Sequence, residues 1–178
     1  MPVREAQAEE TPYGRYITSE GWFVHNLEDA LAVRFQRGGA LYPLEPRERP
    51  FRDIGVNVRV LWPGDANGLY HHEDAQEGFL VLSGECLLVV EEQERPLRRW
   101  DYFHCPPGTG HVIVGAGSEP CVVLMIGARR EQETFGYPVS GVAAKYGASV
   151  AEETSDPAEA YAGRADDFEP LRLPWPPA

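Results

Sequence analysis

His71 and His72 stand in the run Tyr70-His71-His72-Glu73-Asp74-Ala75-Gln76-Glu77, and His111 closes the run Pro106-Pro107-Gly108-Thr109-Gly110-His111. Four of the five histidines fall between positions 71 and 111 of a 178-residue chain. Imidazole and carboxylate together make a nitrogen/oxygen donor set that suits Fe, Mn, Ni, Co or Zn. A site for one divalent metal ion is therefore the leading expectation. The cysteines do not compete for it. Cys86, Cys105 and Cys121 are widely spaced and form no CxxC pair, which argues against a thiolate zinc site and a disulfide framework. Their apolar flanks mark them as buried thiols.

The residues around the histidines read as strands parted by tight turns. Val56, Val58, Val60 and Trp62 alternate with Asn57, Arg59 and Leu61, the period of a half-buried strand. Pro63-Gly64-Asp65-Ala66-Asn67-Gly68 has turn chemistry. Residues 79–82 and 86–90 read as a hairpin turning at Ser83-Gly84, and Glu91-Glu92-Gln93-Glu94 as a charged tip. Residues 100–105, 111–114 and 121–126 are three further strands. Strands at this spacing predict an all-β barrel or sandwich.

The flanking regions differ. Residues 1–18 are polar and acidic and are expected to form a loosely held arm. Residues 21–25 suggest a short strand. Asn26 is a helix N-cap candidate with Asp29 at the third helical position. A strand is expected at 40–44. Beyond Arg130, short helices are expected at 140–146 and 156–161, the second begun by Asp156, Pro157 and Glu159, before a proline-rich extended tail over 171–178. The expected organisation is an N-terminal arm with added strands over 1–54, a barrel over 55–127, and short helices with a tail over 128–178.

A net charge of −12 disfavours nucleic acid and anionic membranes as partners. No apolar run reaches membrane-spanning length and no apolar core of a secretory signal follows Met1, so a cytoplasmic protein is expected.

The two histidine runs resemble the paired metal motifs of the cupin superfamily, small β-barrels of the jelly-roll (double-stranded β-helix) kind. The first family motif runs roughly G-x5-H-x-H-x3–4-E-x6-G. Here Gly64 opens it, and six residues separate Glu77 from Gly84. The second runs roughly G-x5-P-x-G-x2-H and is matched over residues 106–111, with Trp100 at the usual Gly. Counting forward from Gly64 points Tyr70 and His72 inward. Counting back from Glu77 points His71 and Glu73 inward instead, because side chains two apart share a strand face. Tyr70-His71 followed by Glu77-x-Phe79 is similar to the 3-hydroxyanthranilate 3,4-dioxygenases. That resemblance implies Fe(II) held by His71, Glu77 and His111, with coordination positions open for substrate and O2. Glu73 is a fourth-ligand candidate or a group orienting His71. The chain departs from that subgroup in its arginines: Asn67 stands at one of the usual positions, and residues 112–118 contain none. This points away from hydroxyanthranilate as substrate.

The resemblance implies an Fe(II)-dependent dioxygenase, an oxidoreductase acting on a small organic molecule, with Phe79, Val81 and Val114 walling the pocket. A metal-dependent isomerase or lyase is the alternative; its ion would be Mn or Zn, and Tyr70 or Glu73 would move the proton. A non-catalytic small-molecule-binding barrel is the third reading. Zn, Ni or Mn could take the same donors as iron. His104 shares a strand face with Trp100 and Tyr102 and is expected outside the site. Pairing through the sheets, common in cupins, implies a homodimer.

Overall fold

The computed structural model of the chain describes every residue except Met1, Arg47, Arg49, Ala165, Asp166, Asp167, Pro176 and Ala178. In chain order its first strands are β1 (Ala8–Thr11), β2 (Gly14–Ile17), β3 (Ala32–Phe35), β4 (Gly39–Pro43), β5 (Ile54–Leu61), β6 (His72–Glu73) and β7 (Glu77–Ser83). Then come β8 (Glu85–Val90), β9 (Gln93–Arg98), β10 (Tyr102–Cys105), β11 (His111–Ala116), β12 (Cys121–Ala128) and β13 (Phe135–Gly136). Helices α1 (Gly141–Ala144) and α2 (Pro157–Ala160) precede the last strand, β14 (Phe168–Leu171).

The strands build a seven-stranded sheet in the order β10-β7-β12-β5-β4-β3-β14 and a three-stranded sheet in the order β11-β8-β9. Leu61, Phe79, Val81 and Val123 on the inner face of the large sheet pack against Cys86, Leu88 and Ile113 of the small one. This is the cupin β-sandwich. Each large apolar side chain buried there stabilises the fold by roughly 1.5–3 kcal/mol. The other face of the large sheet carries Tyr42, Val58, Val60 and Val122, covered by Leu171, Leu173 and Trp175 of the tail. Tyr42 fixes that cover by donating its hydroxyl to Leu173 O at 3.0 Å. The alternating valines of β5 thus mark the outer layer, and Arg59 and Leu61 face the barrel.

Several sequence expectations are corrected. Residues 79–90 are not a hairpin: β7 pairs with β10 and β12, whereas β8 pairs with β9 and β11. Gly84 is the corner where the chain crosses between sheets, at φ +72, with Pro120 O against the place where a Cβ would stand. The charged tip is a tight turn at Glu91-Glu92, both at positive φ, leading into β9, which the sequence reading missed because Gln93-Glu94-Arg95 is polar and Pro96 disfavours a strand. Asn26 Oδ1 accepts from Glu28 N at 3.1 Å, but this caps only a turn, because Val33 pairs with Leu41 in the sheet. Residues 21–25 contribute one bridge, Glu5 to Trp22, in place of a strand. The first eighteen residues hold the β1–β2 hairpin where a loose arm is expected. Met1, Pro176 and Ala178, on which the expectations for arm and tail partly fall, lie outside the described residues. Asp156 caps α2 as its sequence implies, and Ser140 caps α1. No helix among the described residues is long and apolar enough to cross a membrane.

Candidate metal centre

Glu77 is the first residue of β7 and His111 the first of β11, while His71 lies one residue before β6. An isolated antiparallel bridge joins the histidines: His71 N donates to His111 O at 3.2 Å and His111 N to His71 O at 2.9 Å. Their rings are consequently 5.1 Å apart, centroid to centroid. Glu77 enters from the opposite sheet. One ligand atom from each of His71, Glu77 and His111 lies within 4.8 Å of the others.

The tautomers follow from the backbone. His71 Nδ1 is 2.8 Å from Leu69 O, and His111 Nδ1 is 3.1 Å from Thr109 O. A carbonyl only accepts, so each Nδ1 carries the proton and each Nε2 presents a lone pair. His111 Nε2 and Glu77 Oε2 are 3.2 Å apart, yet both are buried without a hydrogen-bond partner. That distance resembles an ion pair, but His111 is neutral: burial, then the neighbouring His71, pulls its pKa down to about 4. Burial, then Glu73, pushes Glu77 up to about 8. Burial also lowers His71. At neutral pH Glu77 therefore keeps its proton beside the His111 Nε2 lone pair, and a cation that displaces that proton would meet carboxylate and imidazole together.

Aromatic rings wall the centre. Phe79 meets the His111 ring edge-on at 5.2 Å, Phe103 lies 5.9 Å from it, and Tyr137 stacks on His71 at 5.7 Å. Cys105, opposite Glu77 in the β7–β10 ladder, brings Sγ to 3.4 Å from His111 Nδ1. Burial pushes that thiol up to about 12, so it remains a neutral neighbour.

Other expected site residues go elsewhere. Tyr70, a proton-transfer candidate, is buried with Val89, Val112 and Val114 behind the small sheet, its hydroxyl against Gly110. Val114 belongs to that same outer cluster and does not wall the pocket. Strand parity requires this, since His111 facing inward turns Ile113 inward and Val114 outward. Val81 packs in the inner core two residues along β7 from Phe79. His72 pairs with Gly136 across β6–β13 and sets its ring where a Gly136 side chain would stand. Glu73 is not part of the three-residue donor group. His71 Nδ1 bonds Leu69 O, so the backbone orients that ring. Burial, then Glu133 and Asp74, raises Glu73 to about 7. His104 is exposed on β10.

Sequence reasoning missed Tyr137, Phe103, Cys105 and Ile113. The last three share strand parity with the donors and could have been found that way. Tyr137 arrives from a segment far along the chain and carries no local signal.

Comparison with known proteins bears on the fold that carries these residues. Residues 57–127 match the cupin domain family model. No curated protein sequence matches the chain. A putative sugar phosphate isomerase from Acidithiobacillus ferrooxidans is 28% identical over 57% of this chain and 67% of its own, with a TM-score of 0.51. A sugar phosphate isomerase of the cupin superfamily from Silicibacter pomeroyi is 29% identical over 55% of this chain, with a TM-score of 0.51, and the match spans 64% of that protein. A polyketide cyclase from Streptomyces resistomycificus shares the fold, at 15% identity over 63% of this chain and 83% of its own, with a TM-score of 0.54. Residues 57–127 are thus similar to the cupin domain, and the sheet order gives the same β-sandwich fold.

Proposed function

We propose that the barrel holds one divalent metal ion through His71, Glu77 and His111 and acts as a mononuclear metal-dependent enzyme on a small organic molecule. The observation that carries this reading is the convergence of three donors within 4.8 Å, two of them buried and otherwise unpartnered. Bound there, an ion with three protein ligands would supply Lewis-acid or one-electron chemistry at its open positions, and two histidines with one carboxylate favour Fe(II) over Mn, Ni or Zn. The chain's own part is to aim the imidazoles through their Nδ1 bonds to Leu69 O and Thr109 O and to exclude water with Phe79, Phe103 and Tyr137. An oxygenase is the first reading of that donor set.

A metal-supported isomerase or lyase is the second, and Glu73 favours it. Its carboxyl, raised to about 7, is matched to moving a proton near neutral pH. The two isomerases at 28% and 29% identity point the same way. Protein grown in iron-supplemented medium and reconstituted with Fe(II), Mn(II) or Zn(II) separates these readings. Fe(II)-dependent O2 uptake with small aromatic or oxygenated compounds supports the first. Turnover of phosphorylated sugars under argon supports the second. A barrel that takes up no ion overturns both.

Ile54, Tyr102 and Ile126 are exposed together on the outer face of the large sheet, which supports a homodimer. A single monomeric species in sedimentation would remove it.

A further inference from the structure

A second cavity, of about 530 Å³, opens between the β3–β4 turn, the loop after β5 and the segment after α2. Arg37, Arg59 and Arg164 line it together with Phe35, Asn67 and Tyr161. Its size lies within the range of small-molecule sites. Arg59 is its organising residue. Nη1 donates to Gly38 O at 3.0 Å and Nη2 to Asn67 O at 3.3 Å, while the guanidinium lies over the Phe35 ring at 5.0 Å. These contacts fix the plane of the group and use two of its five N–H donors. Nε is shut off from solvent and has no hydrogen-bond partner among the described residues.

No carboxylate among the described residues lies within ion-pair distance of Arg59. Asp65 is engaged by Arg34 at 3.5 Å and by Trp62 N. Burial draws the Arg59 pKa down to about 10, which leaves it cationic at neutral pH. A fixed, incompletely satisfied guanidinium is costly to bury unless an anion completes it. Its planar fork matches the paired oxygens of a carboxylate or phosphate. The chain as a whole carries −12, so a pocket lined by three arginines runs against the charge of the molecule.

We propose that this cavity binds a small organic anion through its carboxylate or phosphate group, with Arg59 as the central contact, Arg37 and Arg164 at the rim, and the rings of Phe35 and Tyr161 against the organic part. Arg164 is held at the rim by its bond to Gly147 O at 2.7 Å. Tyr161 divides the cavity from the metal centre: its hydroxyl accepts from Leu69 N at 3.1 Å, and its ring meets Tyr137 edge-on at 5.9 Å.

Calorimetric titration of the full chain with phenyl phosphate, benzoate and phenol tests the proposal and tells the two anions apart. Run on chelator-treated protein, it does not depend on the metal reading. Saturable binding of phenyl phosphate or benzoate, with none of phenol, is the expected result. Arg59→Met keeps an unbranched apolar stem but removes the guanidinium from over Phe35, and should weaken that binding by about tenfold or more, with metal stoichiometry unchanged on reconstitution. Arg37→Ala, at an exposed position, should weaken it by a smaller factor and serves as the test if Arg59→Met does not fold. No saturable binding of either anion, binding of phenol equal to that of the anions, or undiminished anion binding in the folded variants would overturn the proposal.

Discussion

The metal centre and the arginine cavity lie on one barrel and are opposite in sign and in construction. The candidate metal centre presents two imidazole Nε2 lone pairs and a carboxyl group that a metal would have to deprotonate, and its donors come from positions 71 to 111. The cavity presents cationic N–H groups, and its walls run from Phe35 to Phe168. The first would exchange a buried carboxyl proton for a cation; the second would take an anion to complete a buried donor. The difference is informative about recognition. Asn67 sits where the dioxygenase-like pattern would place an arginine, and its backbone O instead accepts from Arg59, a residue of β5. In this chain the positive charge stands on the far side of Tyr161 from the metal centre.

The largest effects should come from removing donors. His71→Ala and His111→Ala should each lose nearly all bound metal, because an open three-ligand site reduced to two ligands keeps little affinity. Arg59→Met should retain it. Metal analysis of the three variants reconstituted side by side reads this directly, and equal losses would mean that the two sites are not separable.

Next in size is the dependence on pH. Glu77 must lose its proton to serve as a ligand, so apparent metal affinity should fall about tenfold for each unit of pH below about 8. The metal-free protein should show two opposed limbs in its melting temperature. The raised Glu77 contributes stability that is present at acid pH and lost as pH rises from the ordinary carboxylate value through about 8. The depressed His111 contributes stability that is present above the ordinary imidazole value and lost as pH falls toward about 4. Metal should abolish the alkaline limb. Melts with and without metal that stay parallel through that limb would contradict the assignment of Glu77.

Glu73→Gln should do less to binding and more to turnover. Glu73 lies outside the donor group and does not hold His71, so metal affinity should change by less than about tenfold, the lower end of the effect of a supporting residue. If the isomerase reading holds, the limb of the rate profile near 7 should disappear with it. A large loss of metal would instead make Glu73 a ligand.

What the sequence made legible follows the same division. Glu77 and His111 sit in short runs with fixed spacing, and the two runs resemble a known pair of motifs, so the donors could be read locally. Of the small sheet, β8 and β11 were legible from apolar runs, but β9 was not, and neither was the pairing: Ser83-Gly84 looks the same whether the chain turns back beside β7 or crosses to the other sheet. The pairing of β7 with β12 and of β8 with β11 decides, and that is a tertiary fact. Val114 was misplaced although the parity of His111 already excluded it. Tyr137 and the arginine cavity were out of reach for another reason. Their partners are brought together by the packing of the C-terminal segment, which leaves no periodic trace in the sequence.

The smallest expected effect carries the register. His72 pairs with Gly136 on β6, one residue beyond His71, and alternation sends its ring away from the donors and against β13. His72→Ala should therefore keep metal near one ion per chain. It should lower stability by about 0.5–1 kcal/mol, the scale of losing a half-buried side chain at the edge of a two-residue ladder. The measurement pairs denaturant melts of the metal-free variant with metal analysis after reconstitution. Unchanged occupancy with a modest shift in midpoint would fix His71 as the inward residue. An empty site in His72→Ala beside a full one in His71→Ala would mean that the strand had slipped by one residue. Tyr70 would then face the metal, and the bridge between His71 and His111 would not be the element that sets the centre.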